Sequence, residues 1–301
     1  MNILFITFIF STISFSILTT TTHAKNHKNS SSTKDHTEET MSYPLSKKGS
    51  LEIENVNGSI TINGDKDEDS VSITVEKKGD KSDFSKVQTT VDSQKSHLSI
   101  KTIYPKEHCN VSVRYTITCP QSIAIKSATT VHGSITVNHI DNDVTTHTVN
   151  GSVTIRNCAG KIDATTTDGS VFIEKSTGPV VSKTTNGRIS VEESSHNVAA
   201  NVTNGAVHCS IESIENKRIS LTTTNGSINC EIPENCNSRI SAKTISSNIK
   251  TNIKNATFDK QPGQRSMKAT TGNDNSADAK SPSTITCQTT NGSINIVTKE
   301  K

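Results

Sequence analysis

Residues 144–174 read VTTHTVNGSVTIRNCAGKIDATTTDGSVFIE, and this stretch decides the fold. Two corners, Asn150-Gly151 and Asp168-Gly169, stand 18 residues apart. Val144, Thr146 and Thr148 approach the first glycine at odd offsets, and Val153 and Ile155 leave it at even ones. Ile162, Ala164, Thr166, Val171 and Ile173 repeat the arrangement around the second. The positions between them are mostly polar. Alternation with period 2 on both sides of a turn describes two short strands that each turn one face to a core.

Outward from this stretch the same unit recurs. Gly133, Gly151, Gly169, Gly187 and Gly205 follow at intervals of 18; Gly226 and Ser247 follow at 21, and Gly292 comes 45 later. The corners Asn186-Gly187, Asn204-Gly205, Asn225-Gly226 and Asn291-Gly292 match the first two. Equal spacing at this length marks a repeat architecture. An Asn-Gly pair also fits a type I′ hairpin turn between antiparallel strands. The coil is the better reading. A meander gains nothing from like residues at like offsets, whereas a coil sets each about 4.8 Å from its copy in the next coil. Glycine suits a corner that needs positive φ. The asparagines would form a hydrogen-bonded ladder with Asp168 as a variant rung. Burying roughly three aliphatic side chains per coil, at about 1.5–3 kcal/mol each, leaves one coil marginal and a stack viable.

The expected fold is all-β: a single parallel β-solenoid over 50–300, with coils of 18–21 residues. Residues 123–300 are read as the stacked coils. Alternation at Leu51, Ile53, Ile60 and Ile62, and again at Val111, Val113, Tyr115 and Ile117, makes 50–122 an N-terminal β cap with one helical turn over 82–88. The polar stretch 254–283 reads as a disordered loop insertion. Lysines in Thr298–Lys301 would end the last coil and discourage edge-to-edge pairing.

Several motifs carry a family resemblance. They are the Asn-Gly-Ser-(Ile/Val)-x-(Ile/Val) unit, the strand Lys161-Ile162-Asp163-Ala164-Thr165-Thr166, and the segment from Leu51 through Asn57-Gly58 to Ile60. Leu98-Ser99-Ile100-Lys101, Tyr104-Pro105, Tyr115-Thr116-Ile117 and Pro120 complete the order. Over about 50–299 the chain resembles the bacterial "putative adhesin" domain-of-unknown-function family. The resemblance implies a parallel β-helix-like fold with an N-terminal β cap and no catalytic residues. Some members of that family look like envelope-stress components.

Ile3 to Leu18 form an uncharged apolar run, and Thr22-His23-Ala24 follows with small residues where a signal peptidase cuts. Residues 1–24 are therefore read as a signal peptide, the other reading being an uncleaved anchor. Residues 25–49, polar and almost free of apolar side chains, read as a flexible linker. No later segment approaches the roughly 18 apolar residues of a membrane span, so no stable span is expected after signal cleavage. The 301 residues carry a net charge of +3, 3% aromatic residues and no Trp. Lys and Arg are scattered along the chain, which argues against nucleic acid as a partner.

Reactive constellations are sparse. His132, His139, His147, His196 and His208 fall at different offsets without ligand spacing, and read as surface residues rather than metal ligands. Asp141 and Asp143 beside His139 form a polar turn or a weak cation site. Glu174 and Glu192 share an offset in adjacent coils, the one pairing that a carbohydrate-active enzyme would use. The outward threonine rows are too broken for an ice-binding array, and corner geometry accounts for the Asn-Gly-Ser sequons. Seven cysteines match no disulfide or zinc framework. Cys209 and Cys230 hold one inward offset in consecutive coils, as two small core residues or as a disulfide. No catalytic residue, metal or cofactor is expected. The reading is an exported, non-catalytic scaffold in the periplasm, at the cell surface or secreted, that binds a protein or glycan. An envelope-stress or antimicrobial-peptide sensor is the alternative, and a carbohydrate-active enzyme the third.

Overall fold

The computed structural model describes residues 35–234, 236–254, 256–260, 262, 265–272 and 282–299. The expected signal peptide lies outside them. The strands are β1 (Asp35–Pro44), β2 (Ser50–Glu54), β3 (Ile60–Asp65), β4 (Ser70–Gly79), β5 (Gln88–Gln94), β6 (His97–Ile103), β7 (Val111–Pro120), β8 (Ala124–His132) and β9 (Ile135–Asn138). They continue as β10 (Val144–Asn150), β11 (Val153–Arg156), β12 (Ile162–Asp168), β13 (Val171–Glu174), β14 (Val180–Asn186), β15 (Ile189–Ser194), β16 (Val198–Asn204) and β17 (Val207–Ile211). The last are β18 (Arg218–Asn225), β19 (Ile228–Ile232), β20 (Ser238–Lys243), β21 (Ile249–Thr251), β22 (Ala256–Lys260), β23 (Ser266–Thr271), β24 (Ser283–Asn291) and β25 (Ile294–Thr298). The expected helical turn is a 3-10 helix at Lys81–Lys86, capped by the Asp80 side chain on the Ser82 amide.

Each coil is two strands joined at a corner, most often Asn-Gly, with His132-Gly133, Asp168-Gly169 and Ser246-Ser247 as variants. Strands entering the corner belong to a 13-stranded sheet, ordered β22-β23-β20-β24-β18-β16-β14-β12-β10-β8-β2-β6-β5. Strands leaving it belong to a 12-stranded sheet, ordered β1-β4-β7-β3-β9-β11-β13-β15-β17-β19-β25-β21. We call these the entry and exit sheets. Stacking is parallel and in register, Ile162 against Val180 and Ile173 against Val191. Ile155, Ile162, Ile173 and Ile189 have no exposed surface, so the alternation read from sequence does define the core.

Four expectations are corrected. The linker 25–49 contains β1, which pairs antiparallel with β4 along its whole length. Its burial pattern is mostly exposed, with only Met41 and Tyr43 packed against the core, so pairing with β4's backbone does most to make it a strand. The insertion 254–283 contains β22 and β23, an antiparallel pair laid on β20, with Met267, Ala269 and Thr271 turned inward; residues 273–281 lie outside the described residues. Stacked coils also begin before 123: β2–β3 and β6–β7 are parallel members of the same stack. Finally, the stack departs from chain order at both ends. β2–β3 lie between β6–β7 and β8–β9, and β24–β25 lie between β18–β19 and β20–β21. Thr298 and Lys299 therefore do not border an open edge, since β25 is flanked by β19 and β21; residues 300 and 301 lie outside the described residues.

The corner glycines have a different cause from the one expected. Among Gly151, Gly169, Gly187, Gly205, Gly226 and Gly292, only Gly187 and Gly205 have left-handed φ, at 152° and 145°. What all six share is close approach: an added Cβ would lie 1.8–2.0 Å from the carbonyl oxygen of the glycine in the coil beneath. The oxygen beneath Gly292 is that of Gly226, consistent with the inserted coil. That carbonyl has a second partner. Thr148 Oγ1 donates to Gly133 O, Thr166 to Gly151 O, Thr184 to Gly169 O and Thr223 to Gly205 O, all within 2.8–2.9 Å. The threonine three residues before each glycine is thus buried yet satisfied. Val202 interrupts the row. The opposite corner uses non-glycine residues with positive φ, His139, Asn157, Lys175 and Glu193, again 18 apart.

Two stability measurements test this account. Gly169→Ala has no positive φ to offend, so its cost isolates the close approach; a loss of about 2–3 kcal/mol is expected in urea unfolding, and an unchanged midpoint would refute the contact. Val202→Thr should supply the missing donor to Gly187 O and raise stability by about 0.5–1.5 kcal/mol.

Candidate functional site

The inward positions are committed to packing, so the surface available for chemistry is the outward side of the two sheets and the corners. Along the corner the asparagine ladder runs in one direction. Asn291 Nδ2 donates to Asn225 Oδ1, Asn225 to Asn204, and Asn204 to Asn186, at 2.8–2.9 Å. Asn186 then donates to Asp168 Oδ1 at 2.6 Å. A carboxylate has no proton to pass on, so Asp168 ends the ladder. Asn150, beyond it, instead meets His132 Nδ1 at 3.1 Å.

On the exit sheet, Arg156 Nε donates to Glu174 Oε2 at 3.1 Å, and the guanidinium lies 5.1 Å from the centre of the Phe172 ring. Glu192 accepts from Ser190 Oγ at 2.9 Å. The pairing of Glu174 with Glu192 is therefore one of neighbouring strands, but each carboxylate is engaged separately. Further along, Asn229 links His208 Nδ1, Glu231 and Asn295.

The histidines do not meet. His132 is at a corner, His139 in the opposite corner, His147 outward on the entry sheet and His208 outward on the exit sheet. Burial, and then Lys217, hold the His196 imidazole below its ordinary range. Asp143 Oδ1 accepts the Lys161 amide at 2.9 Å, the work of a polar turn. Among the described residues, no group of three or more His, Cys, Asp or Glu is placed to hold a metal ion. No helix there is long and apolar enough to cross a membrane.

Cys209 and Cys230 face each other in register on β17 and β19 as free thiols. Cys287 joins them from the entry sheet: its hydrogen bond to Cys230, with burial, pushes its thiol well above the ordinary range. Burial does the same to Cys209, and lifts Cys119 to about 12 and Cys158 to about 11.

Charge is where the sequence was least legible. Lys183, Arg218, Arg239, Lys243 and Lys268 are all exposed on entry-sheet strands. The six neighbouring strands β14, β16, β18, β24, β20 and β23 contain no Asp or Glu. On the other side, Glu174, Glu192 and Glu231 lie on strands β13, β15 and β19, and β13, β15, β17, β19 and β25 contain no Lys or Arg. Lysines and arginines scattered in sequence are gathered on one face because they occupy outward offsets of entry strands. The signal was the strand parity combined with the side of the corner.

The model of the Toastrack DUF4097 family matches residues 18–297. The chain belongs to this family. Membership agrees with the resemblance carried by the Asn-Gly-Ser units and with the solenoid-like stack of this Toastrack chain. No curated protein matches the sequence. Solved structures similar to it include the following three. A "putative cell adhesion protein" from Clostridium sporogenes ATCC 15579 has a TM-score of 0.33 and 13% identity, over 88% of this chain and 100% of its own. A "putative lipid binding protein" from Parabacteroides distasonis ATCC 8503 has a TM-score of 0.43 and 14% identity, over 87% and 97%. A "putative adhesin" from Bacteroides fragilis NCTC 9343 has a TM-score of 0.34 and 13% identity, over 87% and 97%.

Cysteine labelling tests the interior. In native protein at pH 8, iodoacetamide should modify Cys109 rapidly, because it alone of the seven is partly exposed. Unfolding without reductant should expose all seven; loss of the Cys209 and Cys230 adducts under those conditions would instead reveal a disulfide.

Proposed function

We propose that the chain is an exported, non-catalytic scaffold that binds another macromolecule at the cell envelope or surface through the outward faces of its stacked strands. The observation that carries this reading is the division of labour within each coil. Inward positions are filled by Ile, Val and small residues, while outward positions repeat at constant spacing as long, polar rows. Such a surface suits an extended partner better than a small substrate, because no single coil differs enough to form a reaction centre. The engaged carboxylates Glu174 and Glu192 are consistent with a structural use. The apolar run Ile3 to Leu18 before Thr22-His23-Ala24 supports export.

Two measurements test the proposal. Mass spectrometry of the secreted or envelope fraction should find a mature chain starting at Lys25; retention of the intact chain in the cytosol would contradict export. Purified mature protein should co-sediment saturably with isolated envelopes or matrix without releasing soluble products. Turnover of a polysaccharide, or the lack of saturable binding, would overturn the scaffold reading.

A further inference from the structure

The entry sheet between β14 and β23 carries a strongly charged, flat face that the fold does not require. Lys183, Arg218, Arg239, Lys243 and Lys268 point outward there, and their strands and the strands between them hold no acidic residue. On the strands, acidic residues resume only at the borders, with Asp163 on β12 and Asp259 on β22; Glu212, Glu215 and Glu234 lie in the turns that lead into β18 and β20. Over the same part of the stack the exit sheet carries Glu192 and Glu231, with Lys250 on its last strand β21, so positive potential is weighted toward the entry face.

Register fixes the layout. Arg218 and Arg239 are both level with Thr284 on β24, which separates them. Neighbouring strands are about 4.8 Å apart, so these two cations stand roughly 10 Å from each other along the stack axis. Lys243 follows Arg239 on β20 by four residues, or roughly 13 Å across the face. Between them Ser220, Thr286, Ser241 and Lys268 form one row, the first three half-buried. These small hydroxylated side chains leave a low floor between taller cations.

We propose that this face binds a linear acidic polysaccharide running along the stack axis. Cations at the sides meet its sulfate or carboxylate groups, and the serine and threonine hydroxyls exchange hydrogen bonds with its sugar hydroxyls. This deepens the scaffold reading and rests on it. Nucleic acid fits less well, because none of the six strands has an aromatic residue on which a base could stack. A lipid surface fits less well, because among the described residues Ile245 is the one large exposed apolar side chain beside the patch. The match of charge and hydroxyls therefore favours the polysaccharide.

The test is binding of the full mature chain to heparin of defined length, with neutral dextran, a single-stranded oligonucleotide and phosphatidylserine vesicles as the other arms. Saturable heparin binding that weakens with salt is expected, with none to dextran. Arg218→Glu with Arg239→Glu should weaken it at least tenfold and flatten the salt dependence. Lys47→Glu with Lys48→Glu, which makes the same charge change in the turn before β2, should not. Unchanged urea midpoints establish that each variant is folded. Heparin binding unaffected by the Arg218 and Arg239 changes would overturn the assignment. So would equal or tighter binding to the oligonucleotide or the vesicles. Saturable envelope binding without heparin binding would overturn the polysaccharide and leave the scaffold reading standing.

Discussion

The carbonyl oxygen of each corner glycine lies where the Cβ of the next coil's corner residue would be, about 2 Å from it. That single approach sets the stack. It calls for glycine above it through the row from Gly151 to Gly292, lets consecutive corners settle at strand spacing, and leaves the carbonyl open to the inward threonine hydroxyl; where Ser247 stands level with Gly292, Thr244 still donates to the Gly292 oxygen. A buried hydroxyl three residues before each glycine would otherwise lose its partners on leaving water. Here each threonine closes onto the coil beneath, so side-chain satisfaction and coil register are one event. The longer coils respect the same limit. Between Gly205 and Gly226 the three extra residues all fall after β17, in the opposite corner, and Gly226 still stacks on Gly205.

With the corner held in register, the remaining rows follow. Apolar side chains stack on apolar ones along the inside, and a core of Ile and Val continues from the first coil to the last. The outside is free to vary, and part of the stack has diverged by face: Glu174, Glu192 and Glu231 lie on the exit strands β13, β15 and β19, and Lys183, Arg218, Arg239, Lys243 and Lys268 on the entry strands β14, β18, β20 and β23. Neither sheet needs these charges to stack. The thiols of Cys209, Cys230 and Cys287 show the reverse situation, in which burial suppresses the thiolate and makes the side chains small core residues.

Much of the site was legible in advance, but unevenly. The asparagine ladder could be read from spacing; Asp168, expected as a variant rung, instead ends it, because a carboxylate cannot donate, and Asn150 turns to His132. The positive face could not be read from clustering, since Lys183, Arg218, Arg239, Lys243 and Lys268 span 86 positions of the chain. Their neighbourhood depends on β24 lying between β18 and β20. Likewise β1 and the β22–β23 pair have compositions that read as linker and loop. They become strands because open sheet edges offer backbone partners, which is a property of the neighbour rather than of the segment.

Within a coil, then, the sequence by itself determined the strands, the corner and the inward residues. Parity is local, acting between residues a few positions apart; the glycine constraint acts between corners of successive coils and is legible in the sequence because the corners recur every 18 or 21 residues. The order of the coils at the two ends was decided only by the tertiary structure. Every coil offers its neighbours nearly the same upper and lower surface, so local pattern does not distinguish a stack in chain order from one in which β24–β25 fill the place between β18–β19 and β20–β21. That choice, made by long-range packing, also decided which charged side chains share a face.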